Sequence, residues 1–206
     1  MKYVSIRLTL LAMAWAAVAT TGTTSVASYL GEAGKSAPAP AMMGSGSAQT
    51  SQTASPRQPK ILVLQGANLS YLGRREPELY GTTSAAEMDA VLRAHARTHG
   101  YDLEIFYTHV EGEAIGRLYR AVDEGFDGVV MNPGGFTYNG FALRDCLRAL
   151  PFPYIEVHIT NIDKRGIHSV IAEVAVGVIS SFGTDSYVMA LDAMLNRLAK
   201  KNGQHQ

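Results

Sequence analysis

Short apolar runs alternate with amphipathic segments along the chain from Lys60 to Leu198. Strand-like runs occupy 60–64 (KILVL), 102–107 (DLEIFY), 128–131 (GVVM), 154–158 (YIEVH) and 174–179 (VAVGVI). Helical patterns occupy 84–100, 113–122, 140–150 and 184–198. Because strands covered on both faces are continuously apolar, the alternation predicts an α/β fold whose parallel sheet has helices on both faces.

Residues 1–27 have the pattern of a secretory signal peptide. Lys2 and Arg7 precede an apolar run over 8–19, and the small residues at 25–27 (SVA) suit a cleavage site. An uncleaved membrane anchor is the alternative, but the run is shorter than the roughly 20 residues that span a membrane. We therefore expect an exported, periplasmic protein that has no membrane association once the signal is cleaved.

Residues 28–59 are rich in Ala, Gly, Ser, Thr, Pro and Gln. Such a segment buries too little apolar surface to offset the conformational entropy lost on folding, so it is predicted to be a disordered linker. One folded domain is expected over residues 60–200, a length that suffices for a single core.

The chain has 18 basic and 18 acidic residues, without the clustered positive charge that marks nucleic-acid binding. Its single cysteine, Cys146, cannot form an internal disulfide, and the helical pattern around it predicts a buried core residue. None of the six histidines forms an HxxxH pair flanked by acidic residues, so no metal centre is predicted. The loop after the first strand lacks both GxGxxG and the P-loop lysine, which excludes the common nucleotide-binding loops.

Polar loops follow three of the predicted strands, at 65–68, 132–135 and 158–161. The carboxyl ends of parallel strands meet at one edge of a sheet, where α/β proteins bind their ligands, so these loops predict a small-molecule pocket. Each residue taken singly also has a purely structural explanation. Asn68 could simply form a tight turn, and His158 could be a structural histidine that satisfies a local hydrogen bond.

Two arginines, Arg74 and Arg75, precede Tyr80 in the charged segment RREPELYG (74–81). A free phenol has a pKa of about 10, so it is a poor base near neutral pH unless a nearby cation stabilises the phenolate. The segment therefore predicts either a solvated surface loop or a tyrosine that acts as a general base.

The order of these segments resembles the type II 3-dehydroquinate dehydratase family over nearly the whole domain. The segments that carry the resemblance are LQGANLSYLGRREPELYG (64–81), EGE (111–113), NPGGFTYNGFALRD (132–145) and EVHITN (156–161). The resemblance implies a flavodoxin-like three-layer α/β sandwich with a parallel sheet. It also implies that the chains assemble as a dodecamer built from trimers. It also implies a hydro-lyase that dehydrates 3-dehydroquinate to 3-dehydroshikimate through an enolate, with no metal or other cofactor.

The resemblance implies a role for each member of the proton-transfer set. Tyr80 is the expected base, Arg75 is the cation that keeps it ionised, and His158 is the acid that protonates the departing hydroxyl. Asn68 is expected to hold a water that stabilises the enolate, and Glu113 is expected to orient the site.

The resemblance also implies which residues hold the substrate. Asn132 and the backbone at Ile159 and Thr160 are expected to bind the substrate carboxylate. Asp145 is expected to reach the site of a neighbouring subunit. The oligomer would then be part of the active unit.

Positions that contact the substrate ring differ from the family's usual pattern. Tyr138 and Gly140 stand where the family has His and Ser. In the first loop, away from these positions, Gln65 and Ala67 stand where Asn and Pro are usual. The segment 162–167 is shorter than the family's Arg-rich stretch, so Arg165 is the nearest candidate for the arginine that binds the ring hydroxyls. We therefore expect the elimination chemistry to be kept, with altered affinity or substrate preference.

Two other functions are compatible with the sequence: a lyase acting on a related hydroxy-keto ring acid, and a ligand-binding homologue with weak or no catalysis. The kept base and acid argue against the second, because a binding protein needs neither. Aromatic amino acid biosynthesis through the shikimate pathway is cytoplasmic, so the export signal favours quinate catabolism.

Overall fold

Residues 57–203 are described in the computed structural model. The predicted signal peptide (1–27) and almost all of the predicted linker lie outside these residues and stay predictions. Arg57, at the end of that linker, donates from its guanidinium to both carboxylate oxygens of Asp127, at 2.9 and 2.7 Å. Defined contacts of the domain therefore begin at least at Arg57, slightly before the predicted boundary at Lys60.

Five parallel strands form the central sheet, in the order β2-β1-β3-β4-β5. The strands are β1 (Lys60–Ala67), β2 (Asp102–Tyr107), β3 (Gly128–Gly134), β4 (Tyr154–His158) and β5 (Gly177–Ser180). The helices are α1 (Pro77–Tyr80), α2 (Ala85–His99), α3 (Glu111–Asp123), α4 (Phe141–Ala149) and α5 (Asp185–Gly203). This strand order is the flavodoxin-like one, so the predicted α/β fold is confirmed.

Side chains of β1 alternate between the two faces of the sheet and enter two separate cores. Ile61 and Val63 pack in a core with buried residues of α2 and α5. Leu62 and Leu64 pack on the opposite face with residues of α3 and α4. All four side chains are fully buried, which explains the continuous apolar run and confirms the three-layer arrangement.

The predicted helix over 84–100 is confirmed as α2, which is capped at both ends. Ser84 is the N-cap of this helix: its Oγ accepts from the Glu87 amide, and the Glu87 carboxylate accepts from the Ser84 amide. Gly100 ends the helix in the left-handed conformation, with φ of 68°. Cys146 on α4 is buried, as the helical pattern predicted.

Three predicted strand boundaries differ from the structure. The last strand begins at Gly177 rather than Val174, because pairing with β4 starts only at Gly177 and residues 172–174 form a 3₁₀ turn. The first and third strands run three residues further than predicted, to Ala67 and Gly134, which pair with each other. Two segments that look like polar loops in the sequence are therefore strand ends.

Among residues 57–203, no helix is both long enough and apolar enough to cross a membrane.

Gly66→Ala tests the close approach of β1 and β3. A Cβ at Gly66 would lie 2.1 Å from the carbonyl oxygen of Pro133, so the two strands would have to separate. We expect the free energy of unfolding, measured by urea denaturation, to fall by about 1–3 kcal/mol or more. The control is Gly112→Ala in α3, where a Cβ meets no atom within 4 Å and stability should stay level or rise by up to about 1 kcal/mol. Equal stability of the two variants would contradict the argument.

Candidate active site

A pocket with about 690 Å³ of empty space, part of it open to solvent, lies beyond the carboxyl ends of β1, β3 and β4. Nine of the eleven predicted site residues line it: Asn68, Arg75, Tyr80, Asn132, Tyr138, His158, Ile159, Thr160 and Arg165. Glu113 and Asp145 are not among its lining residues. The prediction that the polar strand ends converge on one pocket is confirmed.

The parallel register of the sheet brings these residues together. Gln65 of β1 pairs with Asn132 of β3, and Met131 of β3 pairs with Glu156 of β4. The three strands therefore end at the same edge, with His158 as the last residue of β4. This is the edge at which parallel α/β sheets bind ligands.

Tyr80 is the last residue of the four-residue helix α1 and lies close to two guanidinium groups. Arg165 donates from Nη1 to the Tyr80 hydroxyl oxygen at 3.2 Å and to Thr160 Oγ1 at 3.0 Å. The guanidinium carbon of Arg75 lies 5.8 Å from the Tyr80 ring centroid, and its Nε donates to Glu76. Arg165, which the sequence suggested for the ring hydroxyls, is thus the arginine that contacts the phenol oxygen.

His158 is buried and hydrogen-bonded to a carboxylate that is itself fully buried. Its Nε2 lies 2.6 Å from Oε1 of Glu156, and the Tyr154 hydroxyl donates to Oε2 of Glu156 at 2.7 Å. Burial, with the Glu156 carboxylate beside it, raises the pKa of Tyr154 well above its usual value, so Tyr154 stays a donor. With Nε2 directed at Glu156, the Nδ1 of His158 is free for a ligand in the pocket.

A buried chain of hydrogen bonds fixes the amide of Asn132. Tyr187 donates to Gln65 Oε1 at 2.7 Å, and its oxygen accepts from Asn132 Nδ2 at 2.9 Å. The Gly134 amide donates to Asn132 Oδ1 at 3.1 Å, which defines the opposite end of the side chain. Burial raises the pKa of Tyr187, so its hydroxyl keeps the proton that this chain requires.

Asn68 has a left-handed backbone conformation, with φ of 79°, that a histidine supports. The Asn68 amide donates to Nδ1 of His109 at 3.1 Å, and the other ring nitrogen of His109 lies 3.0 Å from Ser70 Oγ. His109 therefore fixes the turn that presents Asn68 to the pocket.

Glu113 and Asp145, which lie outside the pocket lining, have contacts elsewhere. The Glu113 carboxylate accepts from Thr108 Oγ1 beside the first turn of α3. Asp145 on α4 has a 68% exposed side chain and forms an ion pair with Arg148 at 2.9 Å. Within one chain neither carboxylate lines the pocket of that chain.

The sequence prediction missed three residues that position the site: Glu156, His109 and Tyr187. Glu156 had a local signal, since residues two apart on a strand share a face and Glu156 lies two before His158. His109 and Tyr187 had none, because their partners lie 41 and 55 residues away along the chain.

The sequence profile of the family described as Dehydroquinase class II matches residues 59–195. The chain is 42% identical over 146 residues to the 3-dehydroquinate dehydratase of Thioalkalivibrio sulfidiphilus, covering 69% of this chain and 99% of that protein. It is 44% identical over 141 residues to the 3-dehydroquinate dehydratase of Ectopseudomonas mendocina, covering 67% of this chain and 95% of that protein.

Solved structures show the same likeness. The type II dehydroquinase from Butyrivibrio crossotus matches with a TM-score of 0.65 and 34% identity, covering 66% of this chain and 97% of that one. The type II dehydroquinase from Propionibacterium acnes matches with a TM-score of 0.63 and 39% identity, covering 67% and 97%.

Tyr187→Phe tests the buried hydrogen-bond chain. The change removes one hydroxyl and leaves Gln65 Oε1 and Asn132 Nδ2 without that partner in a buried site. We expect the free energy of unfolding in urea to fall by about 1–3 kcal/mol. The control is Tyr71→Phe at a 59% exposed side chain, which should change it by less than about 0.5 kcal/mol. If the Tyr187→Phe variant is as stable as the control, these buried hydrogen bonds do not stabilise the fold.

Proposed function

The chain belongs to the class II dehydroquinase family, and we propose that Tyr80 and His158 are the base and acid of its reaction. The chain dehydrates 3-dehydroquinate to 3-dehydroshikimate. One observation carries the assignment of base and acid: a phenol bonded to an arginine and an imidazole bonded to a buried carboxylate line the same pocket.

Tyr80 as phenolate takes the proton from the carbon next to the substrate ketone. The C–H electron pair then forms the carbon–carbon double bond of an enolate, whose negative charge lies on the former ketone oxygen. The hydrogen bond from Arg165 and the nearby Arg75 guanidinium support this step, because cations stabilise the phenolate. Asn68, at the pocket wall, holds a water that stabilises the enolate oxygen.

His158 as imidazolium completes the elimination by donating its Nδ1 proton to the departing hydroxyl. The enolate oxygen re-forms the ketone, and the electron pair of the enolate double bond forms the new carbon–carbon double bond conjugated to it. The C–O bond breaks, and the hydroxyl leaves as water with the His158 proton. Glu156, hydrogen-bonded to the other ring nitrogen, stabilises the imidazolium before the transfer. The enzyme is reset when Tyr80 loses the proton that it gained and His158 regains the one that it donated.

Asn132 and the backbone after β4 are proposed to hold the substrate carboxylate. One Nδ2 hydrogen of Asn132 is used by Tyr187, which leaves the second hydrogen for the pocket. Ile159 and Thr160 line the pocket next to His158, so their amides lie near the reacting centre.

A related hydroxy-keto ring acid is the second candidate substrate, and the ring-binding positions favour it. Arg165 already donates to Tyr80 and Thr160, so this arginine is not reserved for the ring hydroxyls. Tyr138, at the position of the family's histidine, lines the pocket with a 59% exposed side chain. A pocket that binds the substrate hydroxyls through other side chains should differ in which ring acids it prefers.

We propose that the chain assembles as a dodecamer built from trimers, in which Asp145 completes the site of a neighbouring subunit. Asp145 is exposed and lies outside its own pocket. The edge strand β5 and the turn after it expose Val178 and Phe182 at 48% and 58%. An unpaired edge with exposed apolar side chains is a surface that another chain can cover.

We also propose that residues 1–27 direct export to the periplasm and are then removed. The positive charges of Lys2 and Arg7, the short apolar run and the small residues at 25–27 support this proposal. In that compartment the reaction would serve the breakdown of quinate.

Tyr80→Phe tests the base. Without the hydroxyl no phenolate can form, so turnover of 3-dehydroquinate should fall by about 10²–10⁴-fold, followed by the ultraviolet absorbance of the conjugated product. Tyr71→Phe, at an exposed position outside the pocket lining, should keep the wild-type rate. Wild-type turnover by Tyr80→Phe would rule out the tyrosinate base. A wild-type chain that binds 3-dehydroquinate without turnover would point to a ligand-binding homologue, and one that neither binds nor turns it over would point to the other ring acid.

The chain recovered from the periplasmic fraction tests export and assembly together. Its N-terminal sequence should begin at Ser28, because the proposed cleavage follows Ala27. Analytical ultracentrifugation should show a dodecamer that contains the active fraction. A chain that begins at Met1 contradicts cleavage, and an active monomer contradicts a site shared between subunits.

A further inference from the structure

Two histidines and an aspartate meet on the outer side of α2 and α5. His95 and His99 are four residues apart on α2, so their side chains lie on one face of that helix. Asp192 projects from α5, and one ligand atom from each of the three residues lies within 4.8 Å of the others. Two imidazoles at this spacing with a carboxylate are a common zinc-binding set.

The Nδ1 atom of each imidazole is hydrogen-bonded within the protein, which leaves the Nε2 atoms for a metal ion. Nδ1 of His95 lies 2.9 Å from the Tyr101 hydroxyl, and Nδ1 of His99 lies 2.9 Å from the backbone oxygen of His95. The Nε2 atom of His95 already lies 3.0 Å from Asp192 Oδ1. Metal-binding histidines are typically held in this way, with the second nitrogen bonded to a carbonyl or other polar group.

We propose that His95, His99 and Asp192 bind a divalent transition metal ion of the zinc type. The ion would take two imidazole nitrogens and one carboxylate oxygen, with water as the fourth ligand. The ring proton of neutral His95 then lies on Nδ1, where the Tyr101 oxygen accepts it.

Small movements bring the three ligand atoms to metal-binding distance. With metal–ligand bonds of about 2.0–2.2 Å, tetrahedral ligand atoms lie roughly 3.3–3.6 Å apart. His99 and Asp192 are exposed, and the Asp192 side chain is 51% accessible, so both can rotate. His95 is partly buried and is held by its hydrogen bond to Tyr101, whereas the exposed His99 ring, stacked 3.9 Å away between ring centroids, has to turn toward the ion. The fixed His95 therefore defines the site, and the two exposed ligands close around the ion.

The metal would be structural rather than catalytic. His99 precedes Gly100 at the end of α2, and β2 begins at Asp102, so the cluster lies toward the amino edge of the sheet. The pocket lies beyond the opposite, carboxyl edge. An ion there links α2 to α5, the two helices that cover the same face of the sheet.

Zinc titration of the full chain without an affinity tag tests this proposal. Isothermal titration calorimetry at neutral pH should show one zinc bound per chain, and zinc should raise the melting temperature. His99→Gln and Asp192→Asn remove exposed ligands and should each weaken binding by more than about tenfold and abolish the thermal shift. Tyr101→Phe keeps all three ligands and should weaken binding by about tenfold through loss of the bond to His95.

The matched control is His168→Gln, which removes an exposed histidine outside the cluster and should keep the wild-type zinc affinity. Turnover of 3-dehydroquinate should be the same with and without zinc, and in the His99→Gln and Asp192→Asn variants. The proposal is overturned if zinc does not bind, or if these two variants bind it as tightly as the wild type. In that case the cluster is only a hydrogen-bond network between the helices.

Discussion

The pairing of β1 with β3 places the Gln65 and Asn132 side of the active site, and the pairing of β3 with β4 adds His158 beside it. The ladder continues beyond the apolar part of both strands, so that Gln65 lies opposite Asn132 and Ala67 opposite Gly134. This pairing is possible because a glycine, which has no Cβ, stands where the strands approach most closely. A Cβ at Gly134 would lie 2.1 Å from the Ala67 carbonyl oxygen. The same close approach lets Tyr187 bridge Gln65 and Asn132 from α5. The site thus depends on backbone packing before it depends on any catalytic side chain.

The proposed base and the proposed acid are supported by opposite physical means. Tyr80 lies on a one-turn helix between Glu76 at φ of 42° and Gly81 at φ of 84°, and its partner Arg165 is exposed. His158 is buried at the end of a central strand, beside the fully buried Glu156. A base on a short surface element can exchange its proton with solvent, whereas a buried acid needs a fixed counter-charge to carry a proton. The pairing therefore suits a reaction in which the two groups must be reset after each turnover.

The sequence predicted the architecture and most of the pocket, but not the contacts that make the pocket work. Apolar alternation is local information, so the sheet and its helices follow from it. Gln65 and Gly66 look like a loop because their strand character comes from pairing with β3, which is not local. The contact of Arg165 with Tyr80 joins residues 85 apart, so sequence order favoured the neighbouring Arg75. The acidic partner of His95 was missed for the same reason, since Asp192 is 97 residues away.

Solvent exposure near the pocket affects how well the site could stabilise the proposed enolate. Tyr138 and Phe141 are 59% and 52% exposed, although one lines the pocket and the other begins α4. An enolate in a site open to water loses the electrostatic advantage that a closed site gives to its stabilising groups. Asp145, one turn further along α4, has an exposed carboxylate outside its own pocket. In the proposed oligomer, a neighbouring chain packed on this helix would cover the exposed Tyr138 and Phe141 side chains and receive the Asp145 carboxylate at once, so closure of the site and assembly would be a single event.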